Sequence, residues 1–539
     1  MGACMIRRLS EDEVSLIKTM RSLPNETDQS VLSYFTKPGR DINHTVIGDI
    51  RTGKSGAHIA AASEADVSEF KMLHSLAEVD RTVLKRQTGT GPAVQVDYRF
   101  LPIGQGLFAS GSLKTGGAQP FHWVYDCGTL SDQSKLDNAI KWYFTTDHYP
   151  AGKLPRLDLL VISHFDKDHI SGMETLLQRC SVGTLLLPYV LPWKRLELIL
   201  LSGLAANSPF VRFMINPGAY IREIENSRVE TIIFVPPGSE PDDTPLDEAV
   251  PPAFDPEIPR HIEKWRFSPE LTTQQPEQDD EDLSEALNDG TKSAGMLVPG
   301  TSINVNGVWE FVPYNIDTYV LMFDKAFRDS VRLLAKAFLS NPTQLNLDAI
   351  AKAYDDQIIK SGKKNVRNHR NPISLHLYSG PVGSVSSTGL IVRRHELGKR
   401  NHAFARVANN DPACIGQMLT GDGSLKKRAF AKFNSVFQPN QRLLRSAVHQ
   451  VAHHGAHGNW HKGLAAQLAP LISVFSADDS KFCTTGPYIS HAHPHISVWN
   501  DFRPFGAVRV NSRFACSISA VFRPLGNAGG TRGVFDQVD

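Results

Sequence analysis

Four side chains that bind metals well stand within six residues in the segment Leu159-Leu160-Val161-Ile162-Ser163-His164-Phe165-Asp166-Lys167-Asp168-His169-Ile170-Ser171-Gly172. The apolar run at its start predicts a buried strand, and Ile170 onward can begin a helix, so the ligands lie on the loop between. His164, Asp166 and Asp168 alternate and would project to one side of an extended loop, while His169 can join Asp168 on a second ion. Imidazole nitrogen and carboxylate oxygen, with no sulfur, suit Zn²⁺, Mn²⁺ or iron rather than Cu⁺.

Histidine is dense again near the other end of the chain. Of 20 in all, eight fall at His449, His453, His454, His457, His461, His491, His493 and His495. Such clusters are the first places to look for metal chemistry. Alone, the segment around His164 reads equally well as a polar surface turn, and the order of the other motifs decides between the two.

Those motifs resemble the metallo-β-lactamase superfamily. His164 to His169 matches its HxHxDH signature with Asp166 in place of the middle histidine, the HxDxDH form of the ComEC-type hydrolase domain of DNA-uptake proteins. Gly104-Gln105-Gly106 matches a strand turn, although Leu107 replaces the usual aspartate. Asp126-Cys127-Gly128, Asn371-Pro372-Ile373-Ser374-Leu375, Leu419-Thr420-Gly421-Asp422, Val451-Ala452-His453-His454-Gly455 and His493-Pro494 then follow in the family's order. The resemblance covers roughly three quarters of the chain. No separate third histidine ligand is evident: His376, His395 and His402 are the candidates, and each reads better as structural or exposed.

The resemblance implies an α/β fold, the metallo-β-lactamase αββα sandwich, and two divalent ions, zinc or manganese. It implies His164, Asp166 and Asp422 on one ion and Asp168, His169, Asp422 and His454 on the other, with His453 or His454 open as the ligand of its pair. Asp126 would hold a ligand histidine by hydrogen bond. A hydroxide activated by both ions would attack phosphorus, with Asp168 essential and His453 or His493 protonating the leaving oxygen. His449, His457, His461, His491 and His495 are expected to support the site or face solvent. A metal-dependent phosphodiesterase or nuclease acting on DNA is the leading expectation. A hydrolase of a small phosphoester or lactone, and a DNA-binding scaffold with a structural metal, are the alternatives.

The elements that must position these residues are legible in outline. Residues 92–525 alternate strand and helix signals, with Val94–Leu101, Phe121–Tyr125, Leu157–Ile162 and Val308–Val312 as strands and Ser134–Thr145, Phe323–Leu339 and Leu345–Ile359 as helices. The span 236–294 is rich in Pro and acidic residues and reads as a mobile surface insertion. Lys360, Lys363, Lys364, Arg367 and Arg370 form a basic loop that could meet phosphates.

Residues 1–88 read as a separate helical module. Ser10 caps a first helix, Asp28 a second, and a third runs from Asn43 to Arg51, with one more helix from Glu64 to Leu84. The order resembles a helix-turn-helix, which would put Asn43, His44, Thr45 and Arg51 in a DNA groove and Lys37 and Arg40 near phosphates. A three-helix packing or dimerisation module is the other reading.

Bulk properties set limits. With 57 Lys and Arg against 56 Asp and Glu, this is not a generally basic, DNA-coating protein. Its six cysteines show no CxxC spacing, which excludes a thiolate zinc knuckle and points to a reduced, cytoplasmic setting. The opening MGACMIRRLSEDE carries no signal-peptide core, Ile6 spoils a myristoylation motif, and no apolar run approaches the roughly 18 residues of a membrane span. DNA is the expected partner, without a membrane; a homo-oligomer or an operon-encoded protein partner is also open.

Overall fold

Alternation in Val94–Phe100 buries Val94, Val96, Tyr98 and Phe100 on one side, as a half-buried strand requires. The apolar run Leu159–Val161 is instead covered on both faces. The computed structural model describes residues 9–24, 26–36, 42–62, 64, 67, 92–115, 118–145, 154–190, 195, 196, 198–200, 205–238, 262–272, 294–317, 325–341, 343–360, 373–397, 402–407, 411–478 and 493–525.

Three helices come first: α1 (Glu11–Ser22), α2 (Asp28–Phe35) and α3 (His44–Arg51). Then follow β1 (Val94–Phe100), β2 (Gly106–Lys114), β3 (Phe121–Thr129), α4 (Gln133–Thr145), β4 (Arg156–Val161), α5 (Lys167–Ile170), α6 (Met173–Leu177) and β5 (Ser181–Pro188). The middle holds α7 (Pro209–Ile215), α8 (Pro217–Glu223), β6 (Arg228–Val235), β7 (Phe267–Ser268), β8 (Leu271–Thr272), β9 (Ala294–Leu297), β10 (Ile303–Val305) and β11 (Trp309–Asp317). After α9 (Lys325–Ser340) and α10 (Gln344–Lys360) come β12 (Ile373–Pro381), β13 (Val385–Ser387), β14 (Leu390–Glu396), β15 (His402–Val407) and β16 (Gly416–Leu419). The last part comprises α11 (Lys427–Phe437), α12 (Arg442–Arg445), β17 (Ser446–Gln450), α13 (Leu464–Leu468), β18 (Ile472–Ser476), α14 (Ile496–Phe502), β19 (Ala507–Val510) and β20 (Phe514–Pro524).

The protein is mixed α/β, with two large mixed sheets. The first has 12 strands in the order β15-β14-β20-β1-β2-β3-β4-β5-β6-β9-β8, with β13 on β20; the second has eight, β19-β18-β17-β16-β12-β11-β10-β7. In the first sheet β3 to β6 run parallel, and in the second β16 to β19 do. One core lies between the sheets, where Trp123 meets Phe311 edge-on at 5.2 Å and Leu159 and Val161 join Leu375 and Leu419. A second core packs α4, α7, α9 and α10 on the first sheet; a third packs α11, α13 and α14 on the second. The layers therefore run helix, sheet, sheet, helix. The ends of β3, β4, β16, β17 and β18 meet at one rim of this stack, and the metal-type residues stand there.

Strand and helix expectations hold to within five residues, although Thr27 rather than Asp28 caps α2. Phe121–Thr129 continues four residues beyond Tyr125 and takes in Asp126-Cys127-Gly128, and Trp309–Asp317 continues five beyond Val312. The Pro- and acid-rich span contributes structure where it carries apolar residues: Ile262 is buried between the sheets, with Trp265 and Phe267 packed against that core. Most of the expected Glu64–Leu84 helix and the basic loop after Lys360 lie outside the described residues.

The first three helices close their own small core around Val14, Ile17, Val31, Phe35, Val46 and Ile47. Arg513, at the start of the last strand, reaches Asp12 at 2.8 Å and joins this module to the sheets. Among the described residues no helix is long and apolar enough to cross a membrane.

His376 on β12 and His449 on β17 are enclosed by the second sheet's helices, against Phe433 and Phe502 respectively. Burial pushes both down to about 3. Between pH 6.5 and about 3 the unfolded chain takes up protons that the folded chain refuses, so stability falls as pH drops through that window. Each histidine contributes a slope of up to about 1.4 kcal/mol per pH unit. Urea denaturation of His376→Leu and His449→Leu across that range should give a shallower acid loss than the parent protein; an unchanged slope contradicts the neutral, buried assignment.

Candidate metal centre

Asp126 is wholly buried and takes a left-handed backbone (φ 58°), unusual for a strand residue. Its carboxylate accepts from the Ser163 backbone N–H at 2.7 Å, the Ser163 hydroxyl at 2.6 Å and His169 Nδ1 at 2.7 Å. One side chain on β3 thus fixes both ends of the loop that follows β4. With Nδ1 donating to Asp126, the His169 ring turns Nε2 toward the centre. The loop is tied to the other sheet where Leu375 N–H donates to the Ser163 carbonyl at 2.7 Å.

Two glycines let α5 come this close. A Cβ on Gly128 would stand 2.5 Å from the backbone nitrogen of His169, and one on Gly106 2.1 Å from the Gly128 carbonyl. The sequence motifs that contain them are therefore backbone-contact requirements.

From the second sheet, β16 delivers Asp422 and β17 delivers His453 and His454. Gln450 braces the two strand ends: its side chain accepts from Thr420 N–H at 2.8 Å and donates to the Gly421 carbonyl at 3.2 Å. His453 and His454 are successive non-glycine residues with φ 48° and 55°. Backbone strain of that kind persists where the surroundings enforce it, commonly at functional sites. His454 Nδ1 donates to the Ser476 carbonyl at 2.6 Å, so its Nε2 also faces inward.

The two oxygens of buried Asp422 divide the cluster. Oδ1 lies 3.1 Å from His169 Nε2 and 3.8 Å from His454 Nε2, and the latter is also 3.1 Å from Asp168 Oδ2. Oδ2 lies 3.7 Å from His164 Nε2 and 3.5 Å from His453 Nε2, with Asp166 Oδ2 4.0 Å from His164 Nε2. Asp168, His169, Asp422 and His454 can offer ligand atoms within 4.8 Å of one another, and so can His164, Asp166 and Asp168. The buried Nε2 atoms of His164 and His169 make no hydrogen bond. Inward-facing nitrogens without hydrogen bonds, beside converging carboxylates, fit a metal site.

Electrostatics agree. Burial opposes ionisation of Asp168, but His169 and His454 outweigh it and hold the carboxyl at about 2. For Asp422 burial is likewise overcome, by His453 and His169, and the group lies well below the carboxylate range. Burial works against a charge on His169, yet Asp422 and Asp126 raise it well above the usual imidazole value. His164 goes the other way, pushed to about 4 by burial and then by His169. Partial burial, then the neighbouring Asp168 and Asp422, raise the half-exposed Asp166 above the usual carboxylate range. Protons on imidazole here do the balancing that a divalent cation would do, and metal binding would release them.

The other expected residues fall as follows. His493, after a stretch outside the described residues, places its ring centroid 5.6 Å from that of His453 and 6.2 Å from that of His454. His376 lies in the aromatic layer behind β12, and His395 bonds Ser517 at 2.8 Å; neither belongs to the cluster. His402 lies on β15. His449 is buried, His457 is exposed, His461 donates to the Leu425 carbonyl, His495 sits beside His493, and His491 lies outside the described residues. In the helical module, Asn43 caps α3 by accepting from Thr45 and Val46, and Arg51 faces Asp28 at 3.4 Å. His44 and Thr45 are exposed, and Lys37 and Arg40 lie outside the described residues. The sequence reading missed Ser163, Gln450 and Ser476, polar residues at or just after strand ends that no local pattern sets apart.

Neither a scan of protein families nor a search of curated proteins finds a match to this chain.

Asp126→Asn should keep the fold and weaken metal binding by about 10–100-fold, because the carboxylate that orients His169 becomes an amide. Competition titration against a chromophoric chelator reads this directly, and unaltered affinity would contradict the role given to Asp126.

Proposed function

We propose that the chain is a two-metal hydrolase of the metallo-β-lactamase type that cleaves phosphodiesters, with DNA as the substrate class. The observation that carries it is the division of donors about Asp422, one set on each carboxylate oxygen. The helix–sheet–sheet–helix layering and the order of the motifs support the family reading. Divalent ions bound there would polarise phosphoryl oxygens and bring the pKa of water to about 7.

In this reading Asp168, His169 and His454 hold one ion and His164 and Asp166 the other, with Asp422 between them. His453 was expected to give a proton, but its Nε2 is 3.5 Å from Asp422 Oδ2, on the His164 side. We assign it to the ligand position for which the sequence offered no third histidine. Burial, then His454 and His453, push His493 to about 3, so near neutrality its ring is uncharged. A neutral ring has one N–H to donate, and His493 is assigned to hold a phosphoryl oxygen in place.

Chelator-treated protein should leave linear, circular and single-stranded DNA intact and recover cleavage when Mn²⁺ or Zn²⁺ is returned. Asp168→Ala should lower kcat by about a hundredfold to a thousandfold or more. Undiminished, metal-dependent cleavage by Asp168→Ala would sink the proposal. Turnover of a small phosphoester or a lactone, with DNA untouched, would move the assignment to that class.

A further inference from the structure

Charge is distributed unevenly in a chain that is nearly neutral as a whole. Between Gly423 and Ala477 there is no Asp or Glu, while seven Lys and Arg occur there. Arg442 is accounted for by a buried two-pronged pair with Glu310 at 2.9 and 3.0 Å. Lys426, Lys427, Arg428 and Lys462 are exposed, and none has an ion pair among the described residues. Some cations elsewhere on the surface have acidic partners: Arg156 with Glu230, Arg212 with Glu223, Lys114 with Asp97.

These cations are fixed to the metal centre. Asn459 Nδ2 donates to the Asp422 carbonyl at 2.7 Å, Leu425 N–H donates to the Asn459 carbonyl at 2.8 Å, and His461 Nδ1 donates to the Leu425 carbonyl at 2.7 Å. The turn after Asp422 and the loop after His454 are thereby one unit. Lys426 is four residues from Asp422, so the basic surface begins within about 14 Å of the centre by chain geometry. His457 is exposed on the same loop, its ring 5.4 Å from that of half-buried Trp460. Asp501, the carboxylate against this loop, is taken up by Trp460 Nε1 and the backbone N–H groups of Gly463 and Ala465.

The placement also works against local stability. Lys426, Lys427 and Arg428 stand at the positive end of α11, which has no acidic residue in its first turn and no side-chain cap. Helix α1 shows the favourable arrangement, with Ser10 capping and Glu11, Asp12 and Glu13 following. Unpaired cations held at an unfavourable helix end, beside an aromatic pair and a cluster suited to phosphate chemistry, suit a polyanion better than solvent.

We propose that Lys426, Lys427, Arg428 and Lys462 form a rim that holds the backbone phosphates of a nucleic-acid strand flanking the phosphate presented to the metal centre, an inference that rests on the phosphodiesterase reading. It moves the main nucleic-acid contact to the hydrolase layers, away from the N-terminal helices.

The test is binding of a fluorescent single-stranded 20-mer to the full chain in chelator, where hydrolysis cannot intrude, across a salt series. K426A/K427A/R428A should bind at least tenfold more weakly. Its log K against log salt should be shallower by about 2, at about 0.7 per phosphate contact. K135A/K141A/R179A removes equal charge from exposed positions on and near the first sheet's helices and should match the parent. K426R/K427R should also bind as the parent does. Equal affinity and slope in the rim triple and the distal triple overturn the proposal. Rim-dependent binding by a protein that hydrolyses no oligonucleotide with any metal would overturn the phosphodiesterase reading and leave the rim standing.

Discussion

Everything at the centre depends on where the Asp126 carboxylate sits. A buried carboxylate is costly unless its oxygens are satisfied, and here three donors satisfy it: Ser163 N–H, Ser163 Oγ–H and His169 Nδ1–H. Those donors span the two ends of the loop carrying His164, Asp166 and Asp168. The neighbouring strand therefore fixes both ends of the loop, beside the loop's own bonds from His169 and Ile170 N–H to the Asp166 carbonyl. The glycines at 106 and 128 follow from this, since α5 must press against the strand backbone for His169 to reach Asp126.

The second sheet meets that loop with strain and charge. Left-handed His453 and His454 and a buried Asp422 are each unfavourable in isolation, and Gln450 braces the strand ends that carry them. Together they aim imidazole nitrogens and carboxylate oxygens into one small volume. Imidazolium protons compensate the carboxylates there, and a cation can replace those protons. The stable inter-sheet core around Trp123 and Phe311 is what allows such an arrangement to persist at the rim.

How much of this was legible in the sequence follows from how local each feature is. His164, Asp166, Asp168 and His169 declared themselves by spacing, and Asp422, His453 and His454 by short motifs. Their convergence spans nearly 290 residues between Asp168 and His454, and depends on β3, β4, β16 and β17 meeting at one rim. Spacing carries no information on that. It also could not show that His453 faces the same Asp422 oxygen as His164, because the turn that places it requires two left-handed residues that their side-chain types do not announce. Nor could it show that Asp126, inside β3, takes a left-handed backbone. The basic rim escaped notice because the near-neutral total masks the local imbalance.

The central claim is that one carboxylate, Asp422, serves two metal positions. Metal content per chain, measured by elemental analysis after dialysis against excess Mn²⁺ or Zn²⁺, tests it most directly. The account predicts two ions per chain in the parent protein, and loss of both tight sites in Asp422→Ala with the fold retained. A single ion in the parent, or two ions still held by Asp422→Ala, would contradict it.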